Sequence, residues 1–137
     1  MQKAGSSILG NIRVDDEERK PEDLKIRTRT FALRVIRLYG ALPKKTESQV
    51  MGKQLLRAGT SVGAHYREGL RARSKSEYAA KLNAGLMELE ESLYWIELLE
   101  GSNIINSSRL ASLKTEVGEL SAIFVTLIKK ARRSLNP

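Results

Sequence analysis

The sequence has 137 residues, no cysteine, one histidine and a formal net charge of +8 at pH 7. This length suits a single domain with one core, and the absence of cysteine excludes disulfides, thiolate catalysis and Cys-ligated zinc. No apolar run reaches the roughly 20 residues that span a bilayer, and the first residues do not resemble a signal peptide. We therefore expect a cytoplasmic protein with no membrane segment, whose positive charge favours anionic partners such as nucleic acid.

The first 20 residues show no helical periodicity and contain an acidic run at residues 15–18. We predict a flexible acidic tail over residues 1–20, followed by a folded domain over residues 21–137. Pro21 and the two acidic residues after it suit a first helical turn, because proline needs no amide partner there and carboxylates are stabilised at the positive end of the helix dipole.

Four segments space their apolar side chains three and four residues apart, which indicates amphipathic helices. The first ends before Pro43, the third ends at Gly101, and the fourth has the longest unbroken pattern, from Leu110 to Ala131. Short connections force neighbouring long helices to run antiparallel. The sequence therefore predicts an all-α fold, an antiparallel up-down-up-down four-helix bundle, with a long coiled-coil hairpin as the structural alternative.

The second and third helices begin with the spacing of a capping box, in which two side chains satisfy free backbone amides of the first turn. The pairs are Thr46 with Gln49 and Ser74 with Glu77. We predict that each pair caps its helix.

The second helix also contains glycines, each of which costs roughly 1 kcal/mol relative to alanine in a helix interior. Gly59 and Gly63 lie one turn apart among small residues. We interpret them as a smooth strip that lets another helix, from the same chain or from a second subunit, approach closely. A ligand contact is the less favoured alternative.

No arrangement of residues indicates an enzyme. The di-iron sites of helical bundles need two Glu-x-x-His motifs, whereas the single histidine, His65, has no glutamate three residues before it. We also find no glycine-rich phosphate loop and no serine-histidine-acid spacing. We therefore predict no catalytic residue, no metal and no cofactor.

The second helix carries a ridge of polar residues beside its apolar stripe. Antiparallel pairing with the third helix places Arg57 opposite Glu88 and Gln54 opposite Glu91. We interpret this ridge as an ion-pair network that fixes the register of the two helices, with a ligand site as the alternative. The residues of this polar ridge are Gln54, Arg57, Ser61, His65, Glu68, Glu88 and Glu91.

One end of the predicted bundle collects the excess positive charge. The start of the first helix, the turn between the second and third helices, and the end of the fourth helix all meet there. Helix dipoles explain the basic residues near helix C-termini, but four others, Lys25, Arg27, Arg29 and Lys75, lie near predicted helix N-termini, where the dipole disfavours cations. We predict that this basic end binds nucleic acid, and we hypothesise that the acidic tail folds back and competes for it. The residues of the basic end are Lys25, Arg27, Arg29, Arg67, Arg71, Arg73, Lys75, Lys81, Lys129, Lys130, Arg132 and Arg133.

Three stretches carry a family resemblance: GKQLLRAGTSVGAHYREG at residues 52–69, SKSE at residues 74–77 and ELEESLYW at residues 88–95. They resemble the 23S rRNA intervening-sequence protein family of bacteria, over roughly residues 24–130, although His65 stands where many members have asparagine. The resemblance implies a four-helix bundle that assembles into a homopentamer, in a family of unknown function. A related accessory protein of diversity-generating retroelements is also a basic pentameric bundle, and this similarity favours nucleic-acid binding.

Two functions are therefore open. The first is a non-enzymatic oligomeric protein that binds the RNA or DNA backbone through its basic end, with little sequence readout. The alternative is a structural or protein–protein interaction scaffold with no nucleic-acid role.

Overall fold

The computed structural model describes the backbone of residues 9–135 and the side chains of residues 22–134. Helix α2 packs against α1 and α3, and α3 packs against α4, whereas the backbones of α1 and α4 make little contact. No strand occurs among residues 9–135, and within the described residues no helix is long and apolar enough to cross a membrane. The predicted all-α four-helix bundle is confirmed. The helices are α1 (Leu9–Gly40), α2 (Thr46–Leu70), α3 (Lys75–Gly101) and α4 (Ser107–Leu135).

The start of α1 differs from the expectation. The helix begins at Leu9 and continues without a break through Pro21, so the boundary expected at residue 20 falls inside α1. Glutamate, arginine and lysine dominate residues 17–20, and their high helix propensity favours a helix even where apolar periodicity is missing. Residues 1–8 of the expected tail lie outside the described residues.

One core runs through the bundle and takes side chains from all four helices. Phe31, Tyr66 and Phe124 are its largest members, and the rings of Tyr66 and Phe124 lie 5.9 Å apart between centroids. In α4 the buried positions follow the predicted pattern from Leu110 to Phe124 and at Ala131; one position differs, because the pattern predicts Leu127, which is half-buried, whereas Ile128 is buried. A two-helix hairpin would leave many of these side chains exposed, and each large apolar side chain that is fully buried stabilises the fold by about 1.5–3 kcal/mol. The shared core therefore excludes the coiled-coil hairpin.

The glycine strip of α2 lies against α1 of the same chain. A Cβ added to Gly59 would come within 2.9 Å of Val35, and one added to Gly63 would come within 3.0 Å of the Thr28 hydroxyl. That hydroxyl is buried and donates a 2.7 Å hydrogen bond to the Leu24 carbonyl, so its polar group is satisfied at the contact. The packing interpretation is confirmed, and the neighbouring helix is α1.

The two predicted capping boxes have different outcomes. Ser74 caps α3 and accepts a 3.0 Å hydrogen bond from the Glu77 amide, as predicted. The Glu77 carboxylate accepts from the Arg73 amide, at 3.2 Å, and so closes a variant of the box. At α2 the N-cap residue is Lys45 and no side chain caps the helix, so the prediction for Thr46 is wrong.

The reason lies in the contacts of Gln49. Its side-chain amide donates a 2.9 Å hydrogen bond to the Pro43 carbonyl, and its Oε1 accepts one of 2.9 Å from the Tyr39 hydroxyl. The Gln49 side chain thus ties the α1–α2 loop to α1, and its backbone amide, which the capping box assigns to the Thr46 hydroxyl, donates a 3.0 Å hydrogen bond to the Lys45 carbonyl instead.

Candidate nucleic-acid interface

Arg27, one of the basic residues predicted to bind nucleic acid, is neutralised inside the bundle. It reaches from α1 to α4, where Nε and Nη2 each donate a 2.8 Å hydrogen bond to the Glu116 carboxylate, and Nη2 also binds Glu119. The Glu116 carboxylate, with help from Glu119, raises the pKa of Arg27 above its usual value. The predictions did not include Glu116 or Glu119 as partners.

Two lysines of the basic end also have carboxylate partners. The Lys25 ammonium lies 3.8 Å from Glu22, one turn earlier in α1. The Lys81 ammonium lies 3.4 Å from Glu68 and therefore crosses from α3 to α2. These pairs leave less free positive charge than the sequence count indicates.

Seven of the twelve residues of the basic end are exposed and make no ion pair with any side chain of residues 22–134. Interaction partners are present for Lys130 and Arg132, which are therefore not counted among the seven. We call the seven the free cations; they are Arg29, Arg67, Arg71, Arg73, Lys75, Lys129 and Arg133.

Four of the free cations surround the short turn between α2 and α3. Arg67 and Arg71 lie one turn apart at the end of α2, Arg73 lies in the turn, and Lys75 is the first residue of α3. Arg71 and Arg73 line an open cleft of about 520 Å³, together with Lys81. Glu68 and Glu77 also line this cleft.

The two carboxylates in this cleft are already engaged. The Glu68 carboxylate accepts from His65 at 3.3 Å and from Lys81, and these two contacts lower the pKa of Glu68 below its usual value. Glu77 accepts the backbone amide of Arg73. Neither carboxylate forms an ion pair with an arginine of the cleft, so the guanidinium groups remain available to an external anion.

A smaller pocket of about 240 Å³ lies at the same end, between the start of α3 and the end of α4. Lys75, Lys130, Ser134 and the ring of Tyr78 line it. Burial raises the pKa of Tyr78, so its hydroxyl keeps its proton near neutral pH and can donate a hydrogen bond. The pocket adds neutral donors beside the basic cleft.

The long α1 changes two expectations about this end. Because α1 begins at Leu9, Lys25 and Arg29 lie in its interior. The argument that a helix N-terminus disfavours cations therefore applies only to Lys75, at the start of α3. Residues 15–18 continue the line of α1 with no turn that returns them. The described backbone therefore gives no support to an acidic tail that folds back over the basic end.

The polar ridge of α2 forms a network with α3. Arg57 contacts Glu88 at 3.3 Å and also binds Glu91, which additionally accepts a 2.9 Å hydrogen bond from the Trp95 indole. Arg57 and then Trp95 lower the pKa of Glu91 below its usual value. Glu91 thus binds these two residues and not Gln54, the partner predicted from antiparallel pairing of the two helices.

The histidine of the ridge joins this network to the basic cleft. His65 Nε2 lies 3.5 Å from Glu88, and Nδ1 lies 3.3 Å from Glu68. The Ser61 hydroxyl donates to the carbonyl of Arg57, within α2. These groups contact each other, which agrees with a role in helix register, and no group of three or more His, Asp or Glu among the described residues is arranged for a metal ion.

The architecture and the charges together define a basic four-helix bundle, in which four of the seven free cations of the basic end surround the α2–α3 turn. A sequence profile of the 23S rRNA-intervening sequence protein family matches residues 22–126, and the chain belongs to this family. The chain is also similar to the crystal structure of a protein with unknown function from the S23 ribosomal protein family of Bacteroides thetaiotaomicron. The TM-score is 0.73 and the identity 36%, over 77% of this chain and 97% of that one. No curated protein matches the chain.

Proposed function

We propose that this protein is a non-enzymatic oligomeric bundle that binds nucleic acid, RNA or DNA, through its basic end. The observation that supports the proposal is the group of four free cations around the α2–α3 turn, two of which line a cleft whose carboxylates bind no arginine side chain. The homopentamer implied by the family resemblance and the cytoplasmic location expected from the sequence belong to the same proposal.

The chemistry of this end suits phosphate. An arginine guanidinium can donate two parallel hydrogen bonds to a phosphate, and each neutralised phosphate releases counterions, so the contributions add along a strand. The start of α3 adds backbone amides and the positive end of a helix dipole, which also favour an anion. Contacts of this kind position a strand without reading its bases, so we expect weak sequence preference.

The opposite end of the bundle provides a matched comparison. It also carries exposed basic residues, namely Lys44, Lys45, Lys53 and Arg109. There, however, the end of α3 brings glutamates to the same region, and Glu100 binds Lys114 at 2.9 Å. We therefore expect the strand to prefer the α2–α3 turn.

The test is a pair of variants with equal change in net charge. One replaces Arg67, Arg71, Arg73 and Lys75 by glutamate, and the control replaces Lys44, Lys45, Lys53 and Arg109 by glutamate. Binding of a fluorescent single-stranded RNA and of a DNA duplex is followed by anisotropy at several salt concentrations. We expect the first variant to lose about 100-fold or more in affinity at low salt, and the control to stay within about fivefold of the wild type.

Two results would overturn the proposal. One is a wild-type protein that binds neither nucleic acid at low salt. The other is an equal loss in both variants, because binding would then depend on total charge and not on this end.

The alternative function is a scaffold that binds proteins and has no nucleic-acid role. Exposed apolar side chains favour it, above all Met87 and Tyr94 on α3, which are 60% and 53% exposed. A wild-type protein that ignores both nucleic acids but elutes as a stable assembly would support this alternative.

A further inference from the structure

The last turns of α1 and the first turns of α4 enclose a pocket of about 300 Å³. The backbones of these two helices make little contact, which leaves room between them. Because α1 ends and α4 begins there, the pocket lies at the opposite end of the bundle from the α2–α3 turn. Its volume is near the lower limit of pockets that hold small molecules, so it suits one small ligand.

Three arginines line this pocket. Arg37 of α1 and Arg109 of α4 are exposed, and Arg34 of α1 is half-buried. Arg34 Nη2 donates a 2.9 Å hydrogen bond to the Ser112 hydroxyl of α4 and so reaches across to the opposite helix. A guanidinium has five N–H donors, so this bond holds the Arg34 side chain in place and leaves other donors for a ligand.

No carboxylate neutralises these three arginines. None of the residues that line the pocket is acidic, and none of the three arginines makes an ion pair with any side chain of residues 22–134. The sequence contains no acidic residue over residues 24–46 or over residues 101–115. Like charges gathered around one pocket repel each other, and a bound anion removes this repulsion.

The helix dipoles explain one of the exposed arginines but not the other. Arg37 lies in the last turn of α1, where the negative end of the dipole stabilises a cation. Arg109 lies in the first turn of α4, where the positive end disfavours one. An anion in the pocket offsets the cost of this position, and it is itself stabilised by the same end of the dipole.

The inner wall of the pocket is apolar. Leu110 and Leu113 are buried, and the half-buried Leu38 lines the pocket as well. A ligand that satisfies both parts has an anionic group at one end and an apolar body at the other. Three cations favour a phosphate monoester, because it carries nearly two negative charges at neutral pH and accepts paired hydrogen bonds from a guanidinium.

We infer that this pocket binds a small organic phosphate monoester. The phosphate contacts the guanidinium groups of Arg34, Arg37 and Arg109, and the apolar body packs on the leucines. The site is separate from the basic end and does not depend on the proposed nucleic-acid binding. It holds a single phosphate, so a nucleic-acid strand gains no additive series of contacts there.

Calorimetric titration with three ligands tests the chemistry of the site. Naphthyl phosphate carries both the dianion and an apolar body, inorganic phosphate lacks the body, and naphthoate carries a single charge. We expect the full chain to bind naphthyl phosphate about tenfold more tightly than inorganic phosphate, because the rings bury apolar surface on the leucines. We expect a similar preference over naphthoate, because a carboxylate offers fewer acceptors and less charge to the arginines.

Matched variants locate the site. Arg37→Gln with Arg109→Gln should weaken the binding of naphthyl phosphate about tenfold or more. The control, Lys44→Gln with Lys53→Gln, removes the same charge at the same end of the bundle but outside the pocket, and it should stay within about threefold of the wild type. Circular dichroism checks the fold. Arg109→Gln alone removes a cation from a helix N-terminus, which favours the helix, and should still weaken binding about threefold or more.

A third pair distinguishes this pocket from the basic end. Arg71→Gln with Arg73→Gln should leave the affinity for naphthyl phosphate unchanged, because the two ends of the bundle lie further apart than the screening length of about 8 Å at physiological salt. A larger loss in this pair than in the Arg37 and Arg109 pair would overturn the inference. A wild type that does not bind naphthyl phosphate at millimolar concentration, a control that loses as much affinity, or equal affinity for the three ligands would overturn it as well.

Discussion

The arginines in the middle of the bundle and those at the α2–α3 turn have opposite surroundings. Arg27 and Arg57 each contact two glutamates on a neighbouring helix. Arg71 and Arg73 line an open cleft and make no ion pair with any side chain of residues 22–134. All four have the same chemistry, and only the carboxylates that other helices bring to them differ.

This difference shows why net charge alone does not locate a binding surface. In the middle of the bundle, α3 and α4 each supply two glutamates that bind an arginine of another helix, so the arginines there join helices. At the turn the chain supplies few acidic side chains, and Glu68 and Glu77 there bind Lys81 and the Arg73 backbone amide rather than an arginine side chain. Arginines in the middle should therefore affect stability, and arginines at the turn should affect binding of an external anion.

The largest effect on stability should come from a side chain added where two helices pack closely in the middle of the bundle. Gly59→Ala places a methyl group within 2.9 Å of Val35, and we expect a loss of about 1–3 kcal/mol in the free energy of unfolding. Gly118→Ala is the control, because nothing lies within 4 Å of its added Cβ, and it should gain about 0.5–1 kcal/mol from helix propensity. Urea unfolding measures both. Equal effects at the two positions would contradict the close packing of α1 and α2.

A smaller effect should follow from breaking an ion pair in the middle. Arg27→Met leaves the mostly buried Glu116 without its partner, and we expect a loss of about 1 kcal/mol, since the arginine itself is partly exposed. Arg67→Met, at an exposed position without an ion pair, should change stability by less than about 0.5 kcal/mol. If the two variants unfold at the same urea concentration, arginines in the middle of the bundle do not stabilise the fold more than arginines at the turn.

The smallest effect should appear in the pH dependence of stability. Because Arg57 and Trp95 hold the pKa of Glu91 below its usual 4.5 in the folded protein, this residue contributes stability above that pH and loses it as the pH falls through the folded pKa. We expect thermal unfolding of Glu91→Gln to depend less on pH than that of the wild type below about pH 5. Parallel profiles for the two proteins would mean that the contacts of Glu91 do not stabilise the fold.

Much of the bundle follows from local pattern. The apolar spacing of α4 predicts its buried positions from Leu110 to Phe124 because a helix has a fixed period. The pairing of Arg57 with Glu88 also follows, since both residues lie at similar distances from one short turn. Sequence is informative when a single helix or a single turn fixes the geometry.

The remaining contacts depend on elements that are distant in the chain. The bond from Arg27 to Glu116 joins the first helix to the fourth, and its register passes through two other helices and three connections. The Gln49 side chain, expected to close a capping box with Thr46, binds Tyr39 on the preceding helix instead. The start of α1 at Leu9 depends on propensity without apolar periodicity. No local pattern indicates any of these three features.

The most direct measurement is the salt dependence of RNA affinity for three proteins: wild type, Arg71→Ala with Arg73→Ala, and Arg27→Met. For a single strand, the logarithm of the association constant falls with the logarithm of salt concentration by about 0.7 for each phosphate contact. We predict that the double variant has a slope shallower by about 1.4, and that Arg27→Met keeps the wild-type slope. A double variant with the wild-type slope, or an Arg27→Met protein with a shallower one, would contradict the assignment of phosphate binding to the α2–α3 turn.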